Sequence, residues 1–390
     1  MSHYDVVVIG AGVVGLSTAM MCARQGIQVA IIEAHVPKPW QQSSPDLRVY
    51  ALALSNKQLF EQFGVWQEIQ TKRAVPYDAM TVFDEVSGNP LQFKASDLGR
   101  YELGYIVENN LLVDVLWHAI QQEKNITLFC PDKIRNINNQ ENGVELNLQS
   151  GSLLNAKIVI GADGARSKVR ELAGIECKVH DYQQKGLVAF IKTELSHQST
   201  AWQRFLSTGP LAFLPFTDNI CSIVWTLPNS RADELLEVDA VSFCSALDSA
   251  FTATLGKTEL ISERAAFPLK RQLADTMMQG RTLLLGDAAH AVHPLAGQGV
   301  NLGLRDVAAL QESIESSKNN GIDALDLKTL KRWATSRYSE NAIAAYTFEN
   351  INRVFSNDDF ALSLLRGHLL GIGNKITPLK NVLAKYATGI

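Results

Sequence analysis

The chain has 390 residues, of which 46% are hydrophobic and 19% charged, with a formal net charge of −4 at pH 7. This composition is that of a globular protein with enough apolar residues to build a large core. A slightly acidic chain offers no electrostatic reason to bind nucleic acid. The length exceeds that at which single cores usually stop growing, so we expect two closely joined domains.

The five cysteines are scattered, and their spacing fits neither a zinc site nor a disulfide framework. We therefore expect reduced thiols, no metal ion and a cytoplasmic location. The N-terminus enters an apolar run at residues 6–9 without a basic segment, and no apolar stretch approaches the ~18 residues of a membrane span. These features predict a soluble protein, or one at most peripheral to the inner membrane surface.

The first forty residues have the pattern of a β-α-β unit. The apolar runs 6–9 and 29–32 are typical of strands covered on both faces, and a helix-forming stretch lies between them. The second strand ends at Glu33, at the position where an acid accepts the ribose hydroxyls of a dinucleotide. A carboxylate there would repel a 2′-phosphate, which disfavours NADP in this site.

The glycine pattern G-x-G-x-x-G joins the first strand to the helix, and Ala11 lies inside it. Gly10 permits a tight turn, Gly12 lets the backbone approach a pyrophosphate, and Gly15 allows close packing of helix on strand. The helix start then stabilises the phosphate charge. The unit predicts dinucleotide binding but does not separate NAD from FAD.

Residues 185–269 are mostly of strand type, with one helical stretch near 239–250 and several aromatic residues. We predict an antiparallel sheet domain inserted into an α/β nucleotide-binding domain of Rossmann type. The predicted nucleotide-binding domain comprises 1–72, 101–180 and 270–335, the inserted substrate domain 73–100 and 181–269, and a C-terminal helical region 336–390.

Two later motifs favour FAD over NAD. Residues 161–167 read G-A-D-G-A-R-S after a strand, and residues 286–290 read G-D-A-A-H after another. The second motif leads to a glycine-rich helix start at 297–301, where further backbone N–H groups can meet negative charge. A dinucleotide that contacts both glycine-rich helix starts must be long, as FAD is.

In this combination and order, the motifs resemble those of the flavoprotein aromatic hydroxylases, the class A FAD monooxygenases, over essentially the whole length. Within that family the chain looks most like the ubiquinone-biosynthesis hydroxylases, with the demethoxyubiquinol hydroxylases nearest. That closer resemblance rests on D-L-R at 46–48, V-E-N at 107–109, G-P-L-A-F-L-P at 209–215 followed by V-W at 224–225, and the ending 383–390.

The resemblance implies a fold like that of para-hydroxybenzoate hydroxylase, with FAD as cofactor and O₂ as co-substrate. NAD(P)H or a reductase would be the electron donor, and an electron-rich ring would be hydroxylated through a C4a-hydroperoxyflavin. The implied substrate is a polyprenylated phenol or quinol, and the implied setting is a ubiquinone-biosynthesis complex.

The resemblance also implies roles for individual residues. The flavin carries the chemistry, so the candidates for a catalytic role are limited to Arg48 and His293. The expected substrate pocket contains Phe213, Pro215, Trp225 and His293. The expected cofactor contacts are Gly10, Ala11, Gly12, Gly15, Glu33, Arg48, Asn109, Asp163, Asp287, Pro294, Gly297, Gln298, Gly299 and Asn301.

Several of these residues have a simpler interpretation. Arg48 could be a surface ion-pair partner, Asn109 a helix cap, and Phe213 and Trp225 core residues. His290 is expected to be a structural partner of the G-D turn.

The segment after residue 360 has no acidic residue. It fits either a helix docked on the core or peripheral contact with an anionic membrane through Arg366, Lys375, Lys380 and Lys385.

Three other functions use some of the same motifs. A flavin-dependent reductase of an isoprenoid lipid would share the nucleotide motifs but consume no O₂. A non-enzymatic FAD scaffold in a biosynthetic complex would keep the flavin without turnover. A simple NAD dehydrogenase would leave residues 161–167 and 286–301 without a purpose.

Overall fold

The computed structural model of the chain describes residues 2–85, 90–292 and 298–355. Within these residues the strands form an eight-stranded, a nine-stranded and a three-stranded sheet. The helices are α1 Val13–Arg24, α2 Leu54–Gln62, α3 Trp66–Arg73, α4 Asn109–Ile120, α5 Lys168–Leu172, α6 Asn229–Glu237, α7 Ala240–Ala250, α8 Gln298–Asn319 and α9 Leu327–Phe355.

Most strands of the described residues are short, and the longest, with 17 residues, belongs to the nine-stranded sheet. Their bounds are β1 Ser2–Ile9, β2 Val29–Ile32, β3 Val49–Ala53, β4 Ala74–Tyr77, β5 Ala79–Asp84, β6 Leu91–Lys94, β7 Gly104–Glu108, β8 Ile126–Phe129, β9 Ile134–Gln140, β10 Gly143–Leu148, β11 Leu153–Gly161, β12 Cys177–Thr193, β13 Thr200–Leu206, β14 Gly209–Pro215, β15 Ile220–Pro228, β16 Thr258–Leu260, β17 Ala265–Ala274, β18 Met278–Gln279, β19 Thr282–Leu284 and β20 His290–Ala291.

The eight-stranded sheet has a parallel centre in the order β8-β2-β1-β11-β19. The central parts of its parallel strands are apolar because both faces are covered there: Val6, Val7 and Val8 are fully buried. Helix α1 packs against both α4 and α8. The carboxyl ends of the parallel strands meet at one edge, which is where ligands of such sheets bind.

The nine-stranded sheet has the order β20-β17-β12-β15-β14-β13-β5-β6, and β16 pairs with β12. Its pairs are antiparallel except β13 with β5, which run parallel because β5 comes from an earlier part of the chain and is not joined to β13 by a hairpin. One face packs on α6 and α7. The other face forms a second apolar cluster with the three-stranded antiparallel sheet β3-β7-β4.

The predicted fold class is confirmed: a parallel nucleotide-binding sheet is combined with a second, mainly antiparallel sheet and helices that follow both. Helix α6, whose short polar sequence directly follows β15, was not expected from the sequence. Among the described residues no helix is long and apolar enough to span a membrane. The basic segment 366–385 lies outside them, so its placement stays a prediction.

Candidate active site

The glycine turn between β1 and α1 can be built only with glycine at two positions. Gly10 has a φ of +102°, and a Cβ there would lie 2.5 Å from the carbonyl oxygen of Ala162. A Cβ on Gly15 would lie 2.0 Å from the carbonyl oxygen of Gly10. Side chains at these positions would therefore separate β1, α1 and the end of β11, which the parallel sheet holds together.

Gly12 differs from its neighbours because a Cβ there would have no protein atom within 4 Å. Its backbone is extended, at φ −74° and ψ 179°, and it precedes the first turn of α1. The N–H groups of that first turn have no partner inside the helix and point toward the space in front of Gly12. That space is where an anionic group can approach the backbone.

The carboxylate of Glu33 lies across the glycine turn at the end of β2. Its Oε2 accepts a hydrogen bond from the N–H of Ala11 at 2.6 Å, and its Oε1 accepts one from the N–H of His35 at 2.9 Å. These two bonds fix an acid at the sheet edge, where a ribose would follow a phosphate bound at the helix start.

A cleft of about 580 Å³ opens along this edge. Seven of the residues expected from sequence to contact the cofactor line it: Gly10, Gly12, Glu33, Arg48, Asn109, Asp163 and Asp287. Six polar side chains of the lining were not expected from the sequence: Tyr50, Asp132, Lys133, Gln149, Arg166 and Lys168. Of these, Asp132 could have been found, because it follows the parallel strand β8 as Glu33 follows β2.

Arg48 lines the same cleft as Glu33. Its Nη2 is 3.9 Å from Oδ2 of Asp287, and its guanidinium lies 5.5 Å from the ring centroid of Tyr50. The N–H of Asn109 donates to the Arg48 carbonyl at 2.9 Å, and the Asn109 side-chain oxygen accepts from the Tyr50 hydroxyl at 3.0 Å. Burial raises the pKa of the Tyr50 phenol well above its ordinary value, so this hydroxyl stays a neutral donor.

The two aspartates of the later motifs have different surroundings. The Asp163 carboxylate caps α5: it accepts from the Ser167 hydroxyl at 2.5 Å and from the N–H groups of Lys168 and Val169 at 2.7 and 3.1 Å. Asp287 lies in the short 3-10 turn Gly286–Ala288, and its carboxylate faces Arg48 across the cleft. Asp163 thus shapes the wall, whereas Asp287 presents a carboxylate to the cleft.

Comparison with known proteins decides what this edge binds. Residues 3–324 match the family model described as FAD binding domain. The chain is 34% identical over 387 residues to a 3-demethoxyubiquinol 3-hydroxylase of Escherichia coli, covering 99% of this chain and 98% of that one. It is 33% identical to ubiquinone hydroxylase UbiL of Rhodospirillum rubrum, covering 99% and 89% of the two chains. The chain belongs to this FAD-binding family of hydroxylases.

Solved structures agree on the fold. The p-nitrophenol 4-monooxygenase PnpA of Pseudomonas putida superposes with a TM-score of 0.76 at 20% identity, covering 100% of this chain and 98% of that one. PqsL of Pseudomonas aeruginosa gives the same TM-score at 21% identity, covering 91% and 97%. At such identities these structures establish the fold alone.

As a member of the family the protein is an FAD-dependent monooxygenase, and the residues present fit that cofactor. The Gly12 cradle suits the pyrophosphate, and Glu33 suits the adenosine ribose. Asp163, Asp287 and Arg48 line the same cleft and are available for the rest of the dinucleotide. The predicted FAD cofactor is confirmed by the family; the role of each residue stays a prediction.

The remaining cofactor candidates do not line the cleft, or lie outside the described residues. Asn301 is fully buried, and its amide oxygen accepts from the N–H of Ala53 and from Asn56, while its amide nitrogen donates to the Ala51 carbonyl. This side chain therefore braces α8 against β3 and α2. Gly299 lies in the first turn of α8. His293, Pro294, Gly297 and the Gln298 side chain lie outside the described residues.

The aromatic residues predicted for the substrate pocket lie away from the cleft. Phe213 and Trp225 are buried on the sheet face that packs on α6 and α7, and the ring of Phe213 stacks on Phe251 at 4.1 Å between centroids. Pro215 ends the same strand and pairs with Cys221. Neighbouring strand residues alternate between faces, so Leu214 is the one that points to the three-stranded sheet and the cleft side.

Proposed function

We propose that this monooxygenase hydroxylates the ring of a polyprenylated phenol or quinol in ubiquinone biosynthesis. The names of the relatives support a ring of this type, since one acts on demethoxyubiquinol and another is a ubiquinone hydroxylase. The observation that carries the proposal is an apolar cluster between the nine-stranded and three-stranded sheets, which includes β3 directly after Arg48 of the flavin cleft.

Both sheets and α8 contribute to this cluster. Val49 and Ala51 belong to β3, the strand that follows Arg48 directly. Val292 and Leu302 lie on either side of residues 294–301, the stretch that the family resemblance implies to lie along the isoalloxazine ring. The nine-stranded sheet adds Phe190, Phe205, Ala212 and Leu214. Phe216 follows β14, and its ring centroid lies 4.8 Å from that of Phe190. Apolar side chains of this kind suit contact with an aromatic ring that carries an apolar tail.

When bound, FAD supplies the redox chemistry that reduces O₂ and delivers one oxygen atom to an electron-rich ring. The residues of the chain would position the two partners. The Arg48 guanidinium, which faces Asp287, places a positive charge at the cleft, and Asn109 holds the Arg48 backbone. The apolar cluster would hold the ring and exclude water, which limits wasteful release of reduced oxygen. No nucleophilic side chain is needed for this reaction.

A substrate comparison tests the proposal. Holoenzyme with NAD(P)H or a chemical reductant is supplied with a short-chain demethoxyubiquinol analogue, with a simple phenol, or with an isoprenoid alcohol that has no ring. We expect a product 16 mass units heavier from the quinol, matched by O₂ consumption, and none from the alcohol.

The competing functions give different outcomes. A reduced isoprenoid without O₂ consumption would identify a reductase. Bound flavin with no turnover of any compound would identify a scaffold. Either result would overturn the proposal, and so would hydroxylation of the simple phenol in preference to the prenylated quinol.

A further inference from the structure

A buried carboxylate ties the flavin-facing turn to the last described helix. Asp306, on α8, is fully buried, and its two oxygens meet four donors. Oδ2 accepts from the N–H of Gly286 at 3.0 Å and lies 2.6 Å from Nε2 of His290. Oδ1 accepts from Nε of Arg337 at 2.9 Å and from Nδ2 of Asn341 at 3.0 Å.

One side of this carboxylate therefore holds the turn, and the other side holds α9. The turn Gly286–Ala288 carries Asp287, which lines the cleft and faces Arg48. Gly286 has a φ of +58°, and a Cβ there would lie 3.1 Å from Val14 of α1, so little space remains for the turn to move toward the glycine cradle. The N–H of Gly286 and the ring of His290 fix both ends of the turn to the same oxygen.

The α9 side of the network lies beyond the family match, which ends at residue 324. Arg337 and Asn341 are buried, and Nη2 of Arg337 also donates to the Asn341 side-chain oxygen at 2.8 Å. A buried guanidinium requires an anionic partner, and Asp306 is the fully buried one among its described contacts. Helix α9 thus supplies, through Arg337, the positive charge that pairs with Asp306. The same carboxylate holds the turn that faces the flavin cleft.

We propose that Asp306 is a positioning residue for the flavin site, acting through the Gly286–Asp287 turn, and that Arg337 and Asn341 of α9 are required parts of that site. None of the three lines the cleft. Their removal is expected to weaken FAD binding and change the flavin environment by releasing the turn. The proposal rests on FAD binding, which family membership establishes, and is independent of the ring substrate.

The substitution Asp306→Asn tests this directly, because an amide has the same shape but supplies only one acceptor oxygen. One of the two sides must then face an N–H₂ group, so either the turn or α9 loses its acceptor. We expect about tenfold to hundredfold weaker FAD binding, the loss typical of a buried hydrogen bond to a charged group. The visible circular dichroism of the remaining bound flavin should also change.

A matched control separates positioning from general destabilisation. Leu247→Ala opens a cavity in the core under α6 and α7, far from the cleft, and lowers the melting temperature without touching the turn. Each apoprotein is titrated with FAD well below its melting temperature, by the quenching of flavin fluorescence. We expect Leu247→Ala to keep the wild-type FAD affinity and flavin spectrum.

Arg337→Met and Arg337→Lys extend the test to α9 in case the Asp306 variant does not fold. The lysine retains the charge and one donor toward Asp306, so we expect it to recover most of the FAD affinity that the methionine loses.

Wild-type FAD affinity and spectrum in folded Asp306→Asn or Arg337→Met would overturn the proposal. Equal losses of affinity in Leu247→Ala would overturn it too. A failure of hydroxylation with intact FAD binding would instead bear on the substrate proposal.

Discussion

Glu108 and Arg73 form a buried bidentate ion pair beside the flavin cleft. Nε and Nη2 of Arg73 lie 2.7 and 3.0 Å from the two oxygens of a fully buried Glu108 carboxylate. Glu108 also accepts from the N–H of Asp46 at 2.9 Å, and Arg73 donates to the Gln42 carbonyl at 2.8 Å. The pair therefore anchors the loop that leads into Arg48.

Glu108→Gln should unfold the protein at markedly lower urea concentration. The substitution leaves the Arg73 charge buried without its counterion, which typically costs about 3–5 kcal/mol. Glu234→Gln is the control, because it breaks the exposed pair with Arg231 and should change the unfolding free energy by less than about 1 kcal/mol. Equal unfolding free energies for the two variants would show that the buried pair does not anchor the loop.

Gly12→Ala should weaken FAD binding while leaving the apoprotein folded. The added Cβ meets no protein atom within 4 Å and the backbone is not left-handed, so the fold accepts it, but the methyl group enters the phosphate cradle. We expect at least about tenfold weaker FAD binding by titration, with an unchanged apoprotein melting temperature.

Gly15→Ala is the matched comparison for Gly12→Ala. Its Cβ would lie 2.0 Å from the Gly10 carbonyl, so this variant should lose stability already as apoprotein. Full FAD affinity in Gly12→Ala would show that the pyrophosphate binds elsewhere.

Phe213→Leu and Phe190→Leu should show which face of the nine-stranded sheet contributes to substrate binding. Both rings are buried, so each change should cost roughly 1–2 kcal/mol of unfolding free energy. Only Phe190 belongs to the cluster beside the cleft, so only its substitution should raise KM for the quinol analogue. A raised KM for Phe213→Leu alone would indicate that the substrate pocket lies on the face covered by α6 and α7.

The stabilisation from ionised Asp306 should disappear in acid. Burial alone would raise the pKa of this carboxyl, but His290 and Arg337 outweigh it and hold the pKa below its ordinary value of 3.8. A lowered folded-state pKa stabilises the fold above the unfolded-state pKa and loses that effect as the pH falls through the folded value.

This linkage is measured by urea unfolding of the wild-type and Asp306→Asn apoproteins at several pH values. We expect their difference in unfolding free energy to shrink as the pH falls below about 4. A difference that grows in that range would contradict the sign of the shift.

Much of the nucleotide site follows from local sequence. The turn at Gly10 and the close packing at Gly15 are decided by backbone sterics within a few residues, and Glu33 ends a strand recognisable by its apolar run. Tyr50 and Gln149 line the same cleft only because of how β3 and the β10–β11 hairpin fold back, which no local pattern encodes.

The sheet faces show a second limit of sequence. Strict alternation puts Phe213 and Leu214 on opposite faces of β14, but both faces are apolar because each is covered. Nothing in the strand itself tells which face is turned to the cofactor. Similarly, a polar residue at a helix start can contact a ligand or brace the fold, and the Asn301 side chain proves to be a brace.

The most direct test of the central claim is a single turnover with ¹⁸O₂. Holoenzyme is reduced without oxygen, mixed with a demethoxyubiquinol analogue and ¹⁸O₂, and the product is analysed by mass spectrometry. Ring hydroxylation by an FAD monooxygenase predicts one ¹⁸O atom in the product ring and the other in water. Unchanged quinol with labelled hydrogen peroxide, or a hydroxylated product without ¹⁸O, would contradict it.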